Sequence, residues 1–217
     1  NKIYCESNLE TMARMPDNFI DLTVTSPPYD NLRTYNGYCF DFENVAKELF
    51  RVTKQGGVVV WVVSDATING SETGTSFKQA LYFMQCGFNL HDTMIFRKKN
   101  PIPQIYRKRY NNEFEYMFVF SKGVVKTHNP LMVDCLHAGL ELNGTTYKNY
   151  SKNEQTREKM ANPVKAQKIK GNIWEYVVGT KQEDQEAKGH PAMFPEQLAN
   201  DHILSWSNEN DLVYDPF

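Results

Sequence analysis

Paired cysteines, long apolar runs and a dominant charge are all missing from this 217-residue chain. Its four cysteines (Cys5, Cys39, Cys86 and Cys135) stand far apart with no C-x-x-C pair. That spacing gives no sign of a disulfide framework or a zinc site, and no metal is expected. Reduced thiols point to a cytoplasmic compartment. No apolar stretch approaches the roughly 20 residues that span a bilayer, and the N-terminus lacks the basic-then-apolar order of a signal peptide, so no membrane partner is expected. With 24 basic against 26 acidic residues the net charge is −2, so any basic surface has to be local. Glycine is scarce at the start as well, first appearing at Gly37.

What is present suits one domain with an insertion. A hydrophobic fraction of 41% and a charged fraction of 23% are ordinary for a globular chain. Ile3 to Cys5 reads as a short strand. "SNLETMARM" reads as a helix with Ser7 and Glu10 in capping-box spacing. Asp21 to Thr25 is the next strand, and "FENVAKELFRVTK" an amphipathic helix ended by Gly56-Gly57. "VVVWVV" is apolar enough for a strand buried on both faces. The helix "SFKQALYFMQCG", a strand from Phe88 to Arg97 and the strand "EFEYMFVFSKG" follow. Residues 123–189 are polar and weakly periodic and read as an insertion between a first part, 1–122, and a last part, 190–217. A helix near Pro195 and the strand "DLVYD" close the chain. Strands alternating with helices predict an α/β fold, a mostly parallel sheet with helices on both faces.

The stretch "VTSPPYDN" ends a strand with two prolines that cannot continue it. Sites in open α/β sheets lie at the carboxyl ends of strands. The fixed φ of Pro27 and Pro28 aims the carbonyls of Ser26 and Pro27, Ser26 adds a hydroxyl acceptor, and Tyr29 offers a flat face for stacking. These groups suit methyl transfer to the exocyclic amine of a nucleobase. The lone pair of that nitrogen is delocalised into the ring. Two acceptors on its N–H bonds would localise the pair and stabilise the positive charge developing in the transition state.

Ser26-Pro27-Pro28-Tyr29 resembles the catalytic motif of the DNA amino-methyltransferases, which act on N4 of cytosine or N6 of adenine. "DNLRTYNG", "FENVAKELFRVTKQGGVVVWVVSD", "NNEFEYMFVFSKG", "GHPAMFPEQL" and "DLVYDPF" resemble further family segments in order. With the catalytic motif first and the cofactor motif last, the arrangement is similar to the β group, a permutation of the usual methyltransferase order. The resemblance implies a Rossmann-like fold, S-adenosylmethionine as cofactor, and a base flipped out of double-stranded DNA. It implies catalytic roles for Ser26, Pro27, Pro28 and Tyr29. His190, Pro191, Phe194, Asp215, Pro216 and Phe217 are the implied cofactor residues. Ser26 at the first motif position leans toward cytosine N4. The family also admits a restriction endonuclease as partner and a homodimer.

Between Arg97 and Asn112 there is no acidic residue. Arg97, Lys98, Lys99, Arg107, Lys108 and Arg109, with Tyr106 and Tyr110 interleaved, could track phosphates. Arg33 and, in the expected target-recognition insertion, Lys148 and Lys152 join them as DNA-binding candidates. Asp65, Glu113 and Glu115 are weaker substrate candidates, better read as capping or solvated carboxylates. The sequence ends at Phe217, where the family's glycine-rich cofactor turn would begin, so the pocket is expected to be incomplete. That leaves a catalytically inert DNA-binding fragment as one alternative. Methylation of a protein side-chain amide is another, opposed by the absence of glycine from the 25 residues before Ser26.

Overall fold

The computed structural model describes residues 2–28, 40–103, 108–139, 145–147, 157–159, 164–178 and 194–217. Residues Ile3 to Cys5 are exposed and form no strand. Helix α1 (Asn8–Ala13) has Ser7 at its N-cap, as expected, but no side-chain cap bond. The capping box does not form; Glu6 accepts from the Thr11 hydroxyl at 2.6 Å and pairs with Arg14. Strand β1 (Ile20–Thr25) leads toward α2 (Phe42–Val52), which buries Val45, Ala46, Leu49 and Val52 on one face.

Helix α2 does not run to Gly56-Gly57. The Thr53 hydroxyl bonds the Leu49 carbonyl at 2.6 Å, Thr53 turns extended, and β2 (Thr53–Val63) starts there. The glycines form a bulge inside that strand: the register slips between Ile20↔Thr53 and Leu22↔Val58. At Gly56 φ is +80°, and a Cβ would stand 2.7 Å from the Cβ of Lys126. Next come the hairpin β3 (Thr67–Ile68) and β4 (Ser71–Glu72), α3 (Thr75–Gln85), β5 (Asn89–Lys98) and β6 (Phe114–Ser121). Strands β7 (Met132–Asp134), β8 (Thr145–Tyr147), β9 (Arg157–Lys159) and β10 (Gln167–Ile169) precede β11 (Ile173–Tyr176), α4 (Glu196–Trp206) and β12 (Val213–Tyr214).

The main sheet has the order β11-β5-β6-β2-β1-β12. Pairings β11/β5, β2/β1 and β1/β12 are parallel, while β6 runs against β5 and β2. The mostly parallel sheet therefore has one reversed strand, because β6 returns directly from β5 with no crossover helix. As a result β1, β2, β5, β11 and β12 all present their carboxyl ends at one edge, where β6 begins. Side-chain alternation splits the core by face. Val59, Trp61, Val63, Phe118 and Phe120 pack with residues of α1, α2 and α3. On the opposite face, α4 meets the sheet through Trp174, whose ring lies tilted against His202 at 4.6 Å, and through Met117.

Gly87 ends α3 with φ +112°, and a Cβ there would lie 2.8 Å from the Phe50 ring. Gly87→Ala combines a left-handed backbone with a clash against a packed ring. It is expected to cost at least about 1 kcal/mol, read as a lower urea midpoint at unchanged m.

Pro130–Gly171 forms a second compact unit, and the remaining residues form the first. In this unit β7 and β10 pair antiparallel with Val133 opposite Lys168, and β8 pairs antiparallel with β9. The Lys170 N–H donates to the Leu131 carbonyl at 2.8 Å, and that of Cys135 to Ala166 at 2.8 Å. Residues 172–178, inside the expected 123–189 insertion, include β11 and so belong with the main sheet.

Candidate active site

Ser26, Pro27 and Pro28 leave the carboxyl end of β1 as expected: Pro27 is buried, Ser26 and Pro28 half-buried. On the adjacent parallel strand, where Thr23 pairs with Tyr214, Asp215 and Pro216 leave the end of β12. The two ends are joined by a hydrogen bond that sequence reading missed. The Thr25 hydroxyl donates to Asp215 Oδ1 at 2.6 Å, and the Phe217 N–H donates to the same oxygen at 3.1 Å. Asp215 keeps exposed surface, yet the protein packed around its carboxyl pushes the pKa up, with the Thr25 and Phe217 hydrogen bonds pulling it down. Neighbouring Tyr214 is pushed up to about 12 by burial first and by the Asp215 charge second.

Aromatic rings line this corner. Phe217 meets Phe40 edge-on at 5.3 Å and Trp61 at 6.1 Å, and Phe40 stacks near Trp61 at 6.3 Å. Trp61 is fully buried, and its Nε1–H donates to Gln79 Oε1 at 2.8 Å. Phe40 and Trp61 carried no sequence signal beyond being apolar near helix and strand ends. Phe194 is half-buried one residue before Pro195, the N-cap of α4. Tyr29, Arg33, Arg107, Lys148, Lys152, His190 and Pro191 lie outside the described residues. Asp65 is a capping carboxylate: it accepts from the Ser76 N–H at 3.0 Å, from the Ser76 hydroxyl and from the Thr73 hydroxyl at 3.2 Å, fixing the start of α3.

The basic stretch looks different folded. Arg97 and Lys98 end β5 at the same edge of the sheet, but neighbouring strands bring carboxylates that the linear sequence hides. Arg97 pairs with Glu175 of β11 at 2.8 Å and lies 4.0 Å from Glu113, and Lys98 pairs with Glu115 of β6 at 2.8 Å. Glu113 and Glu115 are thus ion-pair partners. Arg109 reaches Glu72 at 3.4 Å and the Gly70 carbonyl. Lys99 and Lys108 are exposed.

Ser26, Pro27 and Pro28 stand at one strand end, and a carboxylate with an aromatic wall stands at the next. The hydrogen bonds from Thr25 and Phe217 to Asp215 both end on Oδ1, and among the described residues nothing donates to Oδ2. An anionic oxygen beside aromatic rings fits a ligand carrying a cationic amino group and a flat ring. In sequence, the DNA methylase family of N6/N4 methyltransferases matches over residues 20–217. The orphan methyltransferase M.BamHII of Bacillus amyloliquefaciens is 54% identical over 202 residues, which cover 91% of this chain and 76% of that one. The chain belongs to the DNA methylase family, whose members use S-adenosylmethionine. The Type II methyltransferase M.BglII of Bacillus subtilis is 24% identical over 226 residues, covering 100% of this chain and 59% of that relative.

Solved structures share the fold. The cytosine-N4-specific PvuII DNA methyltransferase superposes with a TM-score of 0.69 at 18% identity, covering 98% of this chain and 72% of that one. A DNA modification methylase of Thermus thermophilus, complexed with S-adenosyl-L-methionine, gives 0.58 at 21% identity, with 97% and 77% covered.

Proposed function

We propose that this protein methylates the exocyclic amine of a base flipped out of double-stranded DNA, N4 of cytosine in preference to N6 of adenine. The observation that carries this reading is the adjacency of two parallel strand ends, Ser26-Pro27-Pro28 just after β1 and Asp215 just after β12, bridged by Thr25. S-adenosylmethionine supplies an electrophilic methyl group when bound. Asp215 would hold the ammonium of its amino-acid end, with Phe217, Pro216 and the segment His190, Pro191 and Phe194 around it. Ser26 and the Pro27 carbonyl would accept the two N–H bonds of the target amine, localising its lone pair, and Tyr29 would stack on the base. The prolines keep those carbonyls aimed before substrate arrives, so the acceptors need no reorganisation. No strong general base is required, because the nitrogen becomes acidic only after transfer, and solvent can take the proton.

Ser26 supports the cytosine preference, since the family's adenine enzymes more often carry Asp or Asn at this position. Digestion of methylated DNA to nucleosides gives the test: N4-methylcytosine is the expected product, N6-methyladenine would overturn the preference, and no methylated base at all would sink the function.

Arg97, Lys98, Lys99, Lys108 and Arg109 would face the DNA backbone at the same sheet edge. Exposed ion pairs such as Arg97–Glu175 are weak, so a phosphate can replace the carboxylate. Arg97→Ala is expected to flatten the slope of log affinity against log salt by about 1, measured by fluorescence anisotropy on a DNA duplex at several salt concentrations. An unchanged slope would remove Arg97 from the surface.

A further inference from the structure

Thr25 sits one residue before the acceptor motif and 190 residues away in sequence from the carboxylate it touches. It is 1% exposed, and its hydroxyl donates to Asp215 Oδ1 at 2.6 Å. The Phe217 N–H donates to that same oxygen. Two donors on one oxygen fix the carboxylate's rotation and reserve Oδ2, which takes no hydrogen bond from the described residues. The donor also belongs to the strand whose next residues are Ser26 and Pro27, so one hydroxyl joins the cofactor side of the site to the acceptor side. From this geometry we infer that Thr25 is a positioning residue for the methyl donor. Its hydroxyl orients Asp215 so that the free oxygen meets the ammonium of the amino-acid end, in register with the base acceptors.

The inference rests on the reading that Asp215 meets that ammonium. Hydrogen bonding to the ionised form also opposes the upward push that the surrounding protein exerts on the carboxyl. Among the described residues, the neighbouring titratable groups are occupied or neutral, Glu6 by its pair with Arg14. Tyr214 is pushed up to about 12, Asp21 pairs with Lys54 at 2.6 Å, and Asp41 accepts from Asn44 at the start of α2. As pH falls through the carboxyl's pKa the anion is lost, and donor affinity with it. Without the Thr25 donor this loss begins at a higher pH.

Calorimetry on the wild-type protein, Thr25→Val, Thr25→Ser and Asp215→Asn tests the inference, with two probes. S-adenosylmethionine carries the ammonium, whereas 5′-methylthioadenosine lacks the amino-acid end. Valine preserves shape and removes the donor. Thr25→Val should weaken S-adenosylmethionine about tenfold, the scale of one charge-assisted hydrogen bond. It should leave methylthioadenosine unchanged and shift the pH midpoint of binding upward. Thr25→Ser should bind nearly as the wild type does, and in turnover Thr25→Val should raise KM for the donor more than it lowers kcat. Wild-type affinity in Thr25→Val alongside a loss in Asp215→Asn would overturn the role of Thr25 alone. Equal weakening of both probes would also overturn it, marking a structural role. Wild-type affinity in Asp215→Asn would overturn the reading of Asp215 and the inference with it.

Discussion

Ser26→Ala is expected to lower kcat for methyl transfer by about 10²- to 10³-fold, the usual effect of deleting one preorganised polar group that meets developing charge. The substitution leaves the backbone course intact. Pro27 still restricts the residue before it to extended geometry, and the Pro27 carbonyl is untouched. Ser26 is half-buried at the strand end, so losing its hydroxyl opens little space. Binding of the donor should change little, because Asp215 and the rings of Phe40 and Phe217 stand on other elements. Single-turnover transfer of labelled methyl groups to DNA, together with calorimetric donor affinity, separates the two effects. Equal losses in donor binding and turnover would mean that Ser26 holds the site together instead of gripping the amine. Unchanged turnover would take Ser26 out of the chemistry.

The parts of this protein that were legible in the sequence are those whose signal is local. Val58 to Val63 declared itself as a doubly buried strand, and all six residues are 0–1% exposed. Helix α2 declared itself by apolar spacing. The place of Ser26, Pro27 and Pro28 just past the end of β1 was equally plain, since two prolines cannot continue a strand. The misread features depend on partners far along the chain or on one side chain's choice. The end of α2 was set by the Thr53 hydroxyl bonding Leu49, not by the glycines after it. Strand β11 is only four residues in a polar region, and it exists because β5 supplies its ladder. The reversal of β6 follows from a direct return that no periodicity encodes. Likewise, the acid-free stretch after Arg97 gains Glu175 from 78 residues away, and Thr25 finds Asp215 only because β1 and β12 are neighbours.

The largest stability effect expected is at Trp61. Its ring is fully buried and contacts Phe40, Phe42, Phe83 and Phe217, with the Phe83 centroid at 5.0 Å. Truncation to alanine removes that packing and leaves a cavity between α2, α3 and the sheet, a change that costs about 3–5 kcal/mol in comparable cores. It also strands the carbonyl of Gln79, which is 5% exposed and accepts the indole N–H at 2.8 Å. An unsatisfied buried acceptor adds about 1–3 kcal/mol. Domains of this size are stable by only about 5–15 kcal/mol, so Trp61→Ala should leave the protein marginal or unfolded at 37 °C. Trp61→Phe separates the contributions: it keeps much of the ring packing and loses the hydrogen bond, so a smaller loss is expected, nearer the hydrogen-bond figure. Urea midpoints at unchanged m measure both. Near-equal losses in the two variants would mean that the Gln79 bond, and not the aromatic packing, dominates at this position. Because Phe217 and Phe40 rest on Trp61, Trp61→Phe should also weaken S-adenosylmethionine binding while sparing the Thr25–Asp215 bond. The aromatic wall would then be as much a product of the core beneath it as of the strand ends that carry the chemistry.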